Sequence, residues 1–162
     1  MVGGRVLFTD STHLKANANK HKYTRKTIEQ DTQNYMKELD EAVQEDREVH
    51  GKKPLKEKEE VKTKKDIRQS TTDPESGYLY RENKPEGFFY LDHRTTDMKY
   101  NIITDAHVTP GNVHDSVPYL DRLDLQIARF GFQVEAVALD SGYLTTPICK
   151  GLSDRHIFGV IA

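Results

Sequence analysis

Residues 134–143 read VEAVALDSGY, and that stretch decides how the rest of the chain is understood. Val134, Ala136, Val137, Ala138 and Leu139 make an apolar run of strand length with almost no polar face, which predicts a strand buried on both sides. The run stops at Asp140, and Gly142 permits the sharp turn that follows. Residues 5–9, RVLFT, have the same form and stop at Asp10. If the two strands are parallel neighbours, about 4.8 Å apart, Asp10 and Asp140 stand side by side. Both then project from the carboxyl-terminal edge of the sheet, where open α/β sheets bind their ligands.

A chain of 162 residues is long enough for one domain with a core. Apolar residues make up 35% and charged residues 31%, and the apolar shortfall is local. Residues 20–68 hold few large aliphatics, whereas residues 88–162 are ordinarily apolar. This predicts a globular core interrupted by a polar insertion: residues 1–19 carry the first strand or strands of the core, 20–69 a charged helical insertion, and 70–162 the remainder of the core. A strand this close to Met1 predicts no preceding domain. No run approaches the ~18 apolar residues that cross a bilayer, and no signal-peptide pattern follows Met1, so a cytoplasmic protein without a membrane partner is expected. The single cysteine, Cys149, excludes an intrachain disulfide and a cysteine metal cluster. A net charge of −2 does not predict nucleic-acid binding, so any contact with DNA must come from a local basic surface.

Residues 11–19 alternate loosely and either extend the first strand or form a short second one. Over 25–50, Ile28, Tyr35, Leu39, Ala42, Val43 and Val49 fall on roughly one helical face, with Thr24 or Thr27 as the cap. The sequence GKKP at 51–54 breaks that helix, and a weaker one is predicted over 55–67. Residues 27–50 hold eight acidic and two basic side chains, and residues 52–68 eight basic and four acidic. Two such arms attract as an antiparallel hairpin, but only by tenths of a kcal/mol per exposed pair. A solvated, partly disordered insertion and a basic arm against DNA phosphates are the competing readings.

Residues 70–77, STTDPESG, are turn chemistry, with Asp73–Pro74 starting the turn and Gly77 free to take a positive φ. Strands are predicted at 78–80 and 88–91, as a hairpin. A further strand at 98–108 sets Met98, Tyr100, Ile102, Thr104, Ala106 and Val108 on one face and ends in the turn TPGN at 109–112. A helix is predicted from Asp115, its N-cap, to Phe130, burying Val117, Leu120, Leu123, Ile127 and Phe130 and stopped by Gly131. After the strand at 134–139, Thr145 or Thr146 caps a short helix with Pro147 in its first turn, and residues 157–161 form a last strand. A long helix between strands is the mark of a parallel crossover. The fold class is therefore α/β, a mixed sheet with the Asp10 and Asp140 strands parallel near its centre.

Two bare carboxylates about 4 Å apart repel by roughly 4 kcal/mol at an effective dielectric near 20. A proton shared as in aspartic proteases would offset this, but those enzymes use Asp-Thr/Ser-Gly loops in all-β lobes. A divalent cation fits better, since hard Mg²⁺ prefers carboxylate oxygens and keeps several waters, which suits phosphate-ester chemistry. The plainer reading is that each aspartate ends a strand or caps the next element.

Residues 10–16, DSTHLKA, resemble the first-aspartate motif of bacterial insertion-sequence transposases of the DDE type, and residues 140–143, DSGY, resemble their second, Asp-x-Gly-Tyr. Between them, STTDPESGY at 70–78 and HVTPGNVHD at 107–115 are also similar to segments of that group. The resemblance runs through essentially the whole chain, and four segments in order carry more weight than Asp-x-Gly-Tyr alone. It implies a ribonuclease-H-like fold and a three-carboxylate site for two Mg²⁺ (or Mn²⁺) ions that carry out DNA strand cleavage and transfer. Asp10 and Asp140 would be the first two metal ligands. The third, a glutamate on a later helix, has no counterpart before Ala162, and the DNA-binding region usual ahead of the first strand is also missing. The resemblance thus implies a transposase fragment cut at both ends, with the complete two-metal site present only in the complete protein.

Other readings remain beside this one. One is a non-catalytic module that pairs with a full-length transposase through shared strands, or self-associates. A stand-alone metal-dependent nuclease of the same fold would need a substitute third carboxylate, for which Glu75 and Asp105 are the candidates. Lys15, Lys20, Lys22, Arg25 and Lys26 follow the first aspartate and are candidates for DNA phosphate contacts, against the reading of a solvated face. His13, His93, His107 and His114 lack the compact spacing of a zinc site, and His114 beside Asp115 reads as capping. Tyr143 either stacks on a base, orients the turn or packs in the core. A last strand without a covering helix would expose an apolar face and favour aggregation.

Overall fold

A computed structural model of the chain describes residues 3–29, 43–44, 47–53, 64–81 and 85–162. It divides into two compact units, one of residues 1–24 with 69–162 and the other of residues 25–68. The larger unit is a mixed α/β domain. Its strands are β1 (Val6–Lys15), β4 (Gly77–Leu79), β5 (Gly87–Asp97), β6 (Ile103–Pro110), β7 (Ala136–Leu139) and β8 (Phe158–Ile161). Two helices, α1 (Tyr119–Phe130) and α2 (Thr146–Asp154), and a 3₁₀ turn at Ser141–Tyr143 lie between the later strands.

The sheet runs in the order β4-β5-β1-β7-β8, with β6 also paired to β5. Strand β5 is antiparallel to β1 along residues 89–97. Along its other edge it meets β4 at residues 87–89 and then β6 from Tyr90 onward, both antiparallel. Strands β1, β7 and β8 are mutually parallel, and α1 and α2 lie in the two connections that return the chain to the same end of the sheet. The predicted central, parallel placement of the Asp10 and Asp140 strands is what the structure has.

One face of the sheet packs under the helices. Leu7, Val137 and Leu139 meet Tyr119 and Leu123 of α1, Ile148 and Leu152 of α2, Tyr143 of the 3₁₀ turn, and Ile157 in a buried cluster. A polar seam runs beside it: Thr9 Oγ1 lies 2.9 Å from Thr95 Oγ1, Gln126 Nε2 donates to Thr95 Oγ1 at 3.3 Å, and Thr104 Oγ1 donates to Gln126 Oε1 at 2.8 Å. The opposite face is only partly covered. Phe8, Phe158 and Val160 are exposed and Ala136 and Ala138 half-buried, so β7 is not buried on both sides as its apolar run suggested. Small alanines on one side and Val137 and Leu139 on the other make it a one-sided strand with weak polar marking.

Several boundaries moved for identifiable reasons. Strand β1 continues past Asp10 to Lys15, because β5 pairs with it along that whole length. The strand expected over 98–108 is the second arm of a hairpin, and residues 98–102 are its tip. Asp97 sets that tip: it accepts from Gly4 N at 2.8 Å and Tyr100 N at 3.0 Å. Burial pushes its carboxyl up, but the backbone N–H groups of Gly4, Tyr100, Gly3 and Lys99 together outweigh that and hold it below the usual range. Met98, Tyr100 and Ile102 are accordingly exposed. Helix α1 starts at Tyr119, three residues later than a cap at Asp115 would set, with Pro118 at its N-cap and no side-chain cap. Its buried side chains are Tyr119, Leu123 and Gln126, and Val117 and Phe130 stay outside. Gly131 ends it in the left-handed region as expected, with its N–H donating to Ile127 O. Thr145 caps α2, with Pro147 in the first turn.

The insertion begins and ends as strands. Strand β2 (Tyr23–Glu29) pairs with β3 (Lys64–Ser70) as a two-stranded ribbon, and Thr27 Oγ1 donates to Asp66 Oδ1 at 2.6 Å. The helix predicted from Arg25 is therefore a strand at its start, since β-branched Thr24, Thr27 and Ile28 suit a ribbon at least as well as a helix. Residues 43–44 and 47–49 are helical. The rest of the first predicted helix, and most of the second at 55–67, lies outside the described residues.

Candidate functional site

The parallel register of β1 with β7 pairs Thr9 with Leu139, so the residues that follow, Asp10 and Asp140, sit at the same level on neighbouring strands. Alternation from buried Thr9 and buried Leu139 turns both aspartates away from the helix-covered face, and both are exposed. Each is held by the local backbone: Asp10 Oδ1 accepts from Ser11 N at 2.8 Å, and Asp140 Oδ1 from Gly142 N at 2.9 Å, capping the 3₁₀ turn.

That turn drives Tyr143 back into the core, where it is fully buried and packs edge-on against Tyr119, with ring centroids 5.3 Å apart. Base stacking by this ring is therefore ruled out, and core packing is its role. Its hydroxyl has no hydrogen-bond partner. Burial raises the pKa of the phenol well above the usual value, and the charges of Asp115, Asp140 and Asp10 raise it further. The hydroxyl therefore stays protonated.

Asp115 was read from the sequence as a helix cap. It caps nothing: its Oδ1 is buried and unpartnered. Its Oδ2 and the Asp140 carboxylate both lie close to Gly142. A Cβ there would lie 3.0 Å from Asp140 Oδ1 and 3.4 Å from Asp115 Oδ2. Sequence reasoning missed this group because Asp115 looked like one more acidic residue before a helix. The signal available was its position after the turn TPGN, which the fold brings back to the sheet edge.

The remaining candidates lie elsewhere. Asp105 is engaged by Arg122, whose Nε donates to it at 2.8 Å. Glu75 is an exposed turn residue near Tyr90; Asp73, two residues earlier, accepts from the Tyr90 hydroxyl at 2.6 Å and pushes that phenol up to about 12. Lys15, Lys20 and Lys22 are exposed, as are Arg25 and Lys26 on β2. Lys15 is five residues along β1 from Asp10, about 17 Å away, so it does not share the acidic edge. His114 Nδ1 lies 2.8 Å from Ser116 Oγ, an exposed local contact. His13 packs edge-on to Phe89, and the His93 and His107 rings lie 6.0 Å apart.

His93 is buried, with Nε2 2.8 Å from Thr109 Oγ1. Burial lowers its pKa, against the raising effect of Asp115. A histidine lowered from its ordinary 6.5 contributes stability that is full above that value and lost as pH falls through the lowered folded value. Urea midpoints at pH 7.5 and 5.5 are expected to differ more for the wild type than for His93→Gln; an equal difference would remove His93 as a source of acid sensitivity.

Among the described residues, no group of three His, Cys, Asp or Glu side chains is placed to hold a metal ion. The two carboxylates abreast on β1 and after β7 are oxygen donors of the kind a hard cation takes. Among the described residues no helix is long and apolar enough to cross a membrane. Comparison with protein-family models, with curated proteins and with solved structures gives no match to this chain.

Proposed function

We propose that this chain is part of the catalytic domain of a DNA transposase of the DDE type, and that Asp10 and Asp140 hold a divalent cation for phosphoryl transfer on DNA. The observation that carries this reading is the pairing of Thr9 with Leu139 in parallel strands, which sets the two aspartates abreast. Its support from the fold is the order of elements: antiparallel strands around the first, then helix-crossed parallel strands, as a ribonuclease-H-like domain would have. The four sequence segments quoted above occupy connected places in it. Residues 10–16 lie on β1, residues 140–143 form the turn after β7, and the segments at 70–78 and 107–115 meet where Gly77 faces Gly111 and Asn112.

A divalent cation at such an edge would activate water or a 3′-hydroxyl and stabilise the leaving oxygen. The chain's own residues hold it: Asp10 from β1 and Asp140 from the turn, each steadied by a backbone N–H. The exposed lysines after Asp10 would meet DNA phosphates away from the reacting centre. A glutamate on a later helix belongs to the complete site in this reading, so the chain alone is proposed to bind metal without cutting DNA efficiently.

Mn²⁺ binding followed by electron paramagnetic resonance tests this. Asp10→Asn and Asp140→Asn are each expected to weaken binding on the order of tenfold or more, with unchanged thermal unfolding. Binding unaffected by both substitutions sinks the metal edge. Robust plasmid cleavage by the wild-type chain with Mn²⁺, abolished in Asp10→Asn, would replace the partial-transposase reading with a self-sufficient nuclease.

A further inference from the structure

We propose that Arg94 is the phosphate-binding residue of the acidic edge, held by Asp92 beside Asp10 so that its guanidinium takes a backbone phosphate of the DNA strand lying there. The inference rests on the reading that Asp10 and Asp140 face DNA, and it adds a residue that the sequence did not point to.

The register places it. Arg94 of β5 is the direct antiparallel partner of Asp10 of β1, and directly opposed residues share a face with their Cβ atoms about 5 Å apart. Asp140, Asp10 and Arg94 thus stand at one level on three neighbouring strands, on the face turned away from the helices. On its other side Arg94 is opposite Ala106 of β6, whose methyl group is too short to cover a guanidinium. The Arg94 side chain is 58% exposed. The lysines after Asp10 are less well placed, since Lys15 is already about 17 Å along β1.

Arg94 stands beside Asp10 but is engaged by another carboxylate. Its Nε donates to Asp92 Oδ2 at 2.8 Å, and its terminal nitrogen Nη2 lies 2.7 Å from the same oxygen. Asp92 is buried, so it needs an ionic partner more than Asp10 does, which is exposed and accepts from Ser11 N. The two contacts fix the plane of the guanidinium, and Nη1 makes no hydrogen bond among the described residues. A planar fork with a free terminal nitrogen, one strand away from the two aspartates, suits a phosphate oxygen. Asp92 is the positioning residue: it keeps the cation from turning onto Asp10 and closing the edge.

Fluorescence anisotropy of a short labelled DNA duplex, titrated with the full chain in the presence of Mn²⁺, tests this. Arg94→Gln alone would leave Asp92 buried and unpaired. The informative variant is therefore Asp92→Asn with Arg94→Gln, which removes both charges together and leaves the net charge unchanged. It is expected to weaken DNA binding on the order of tenfold and to lessen the slope of log affinity against log salt by about 0.9, the share of one phosphate contact. Arg94→Lys keeps the charge and the partner of Asp92, and is expected to keep that slope and recover part of the affinity. Asp92→Asn alone frees Arg94 to pair with Asp10 and is expected to weaken Mn²⁺ binding severalfold, an effect absent from the double variant. Circular-dichroism melts report folding. Wild-type DNA affinity and salt slope in a folded double variant, with Mn²⁺ binding still lost in Asp10→Asn, overturn the role of Arg94 and leave the metal edge standing. Unchanged Mn²⁺ affinity in Asp92→Asn removes Asp92 from the positioning role. No DNA binding by the wild type overturns both the role of Arg94 and the reading that the edge faces DNA.

Discussion

Gly77→Ala is expected to destabilise the chain by roughly 3 kcal/mol, the upper end of what overpacking costs. The added Cβ would lie 2.2 Å from Asn112 Oδ1, 2.5 Å from Asn112 N and 2.6 Å from Gly111 N. The side-chain oxygen can rotate away, but the two backbone nitrogens cannot. Gly111 N is tied to Phe89 O at 2.8 Å, and Phe89 is the residue opposite Gly77 in β5. Relief therefore requires β4 to leave β5 or the 109–112 turn to shift. For a chain of this length the thermal midpoint should fall by roughly 6–12 °C. Gly131→Ala is the comparison: its Cβ meets nothing within 4 Å, and only its left-handed φ of 66° is penalised, by about 1–2 kcal/mol. Equal midpoints for Gly77→Ala and wild type would show that β4 detaches at no cost. The expected reason for Gly77 was a positive φ. The structure gives close backbone approach instead.

Gly142→Ala should leave folding nearly unchanged and cut hard-cation binding on the order of tenfold or more. Its methyl group would sit 3.0 Å from Asp140 Oδ1 and 3.4 Å from Asp115 Oδ2, so the Asp140 carboxylate must shift from the position in which it is proposed to hold a cation. The backbone N–H that donates to Asp140 survives the substitution, and the local φ suits alanine. Loss of Mn²⁺ binding with an unchanged melting curve is the expected pair of results. Retention of wild-type affinity would count against Asp140 as a ligand.

The central strands and their two carboxylates could be read from residues alone because both signals are local. An apolar run broken by Asp140 marks the end of β7, and the matching run before Asp10 marks the start of β1, although β1 itself continues to Lys15. Gly131 as a helix stop and Thr145 with Pro147 as a helix start are equally local, since a backbone geometry and a capping oxygen need only near neighbours. The ribbon at 23–29 with 64–70 escaped notice because its pairing partner is about forty residues away, and a charged amphipathic stretch carries no mark of that partner.

Asp97 was passed over as one more acidic residue. Its value comes from the Gly4 amide, 93 positions distant, which turns a would-be strand into a hairpin tip. Asp115 is the same lesson at the candidate site. Before a helix, an aspartate is a cap by default; Asp115 instead has an oxygen close to Gly142, because α1 starts three residues later than such a cap would set. What a residue does to its neighbours in the chain is written in the sequence. Which distant backbone or carboxylate it faces is set by packing, because the energy of that contact depends on a distance the sequence does not contain.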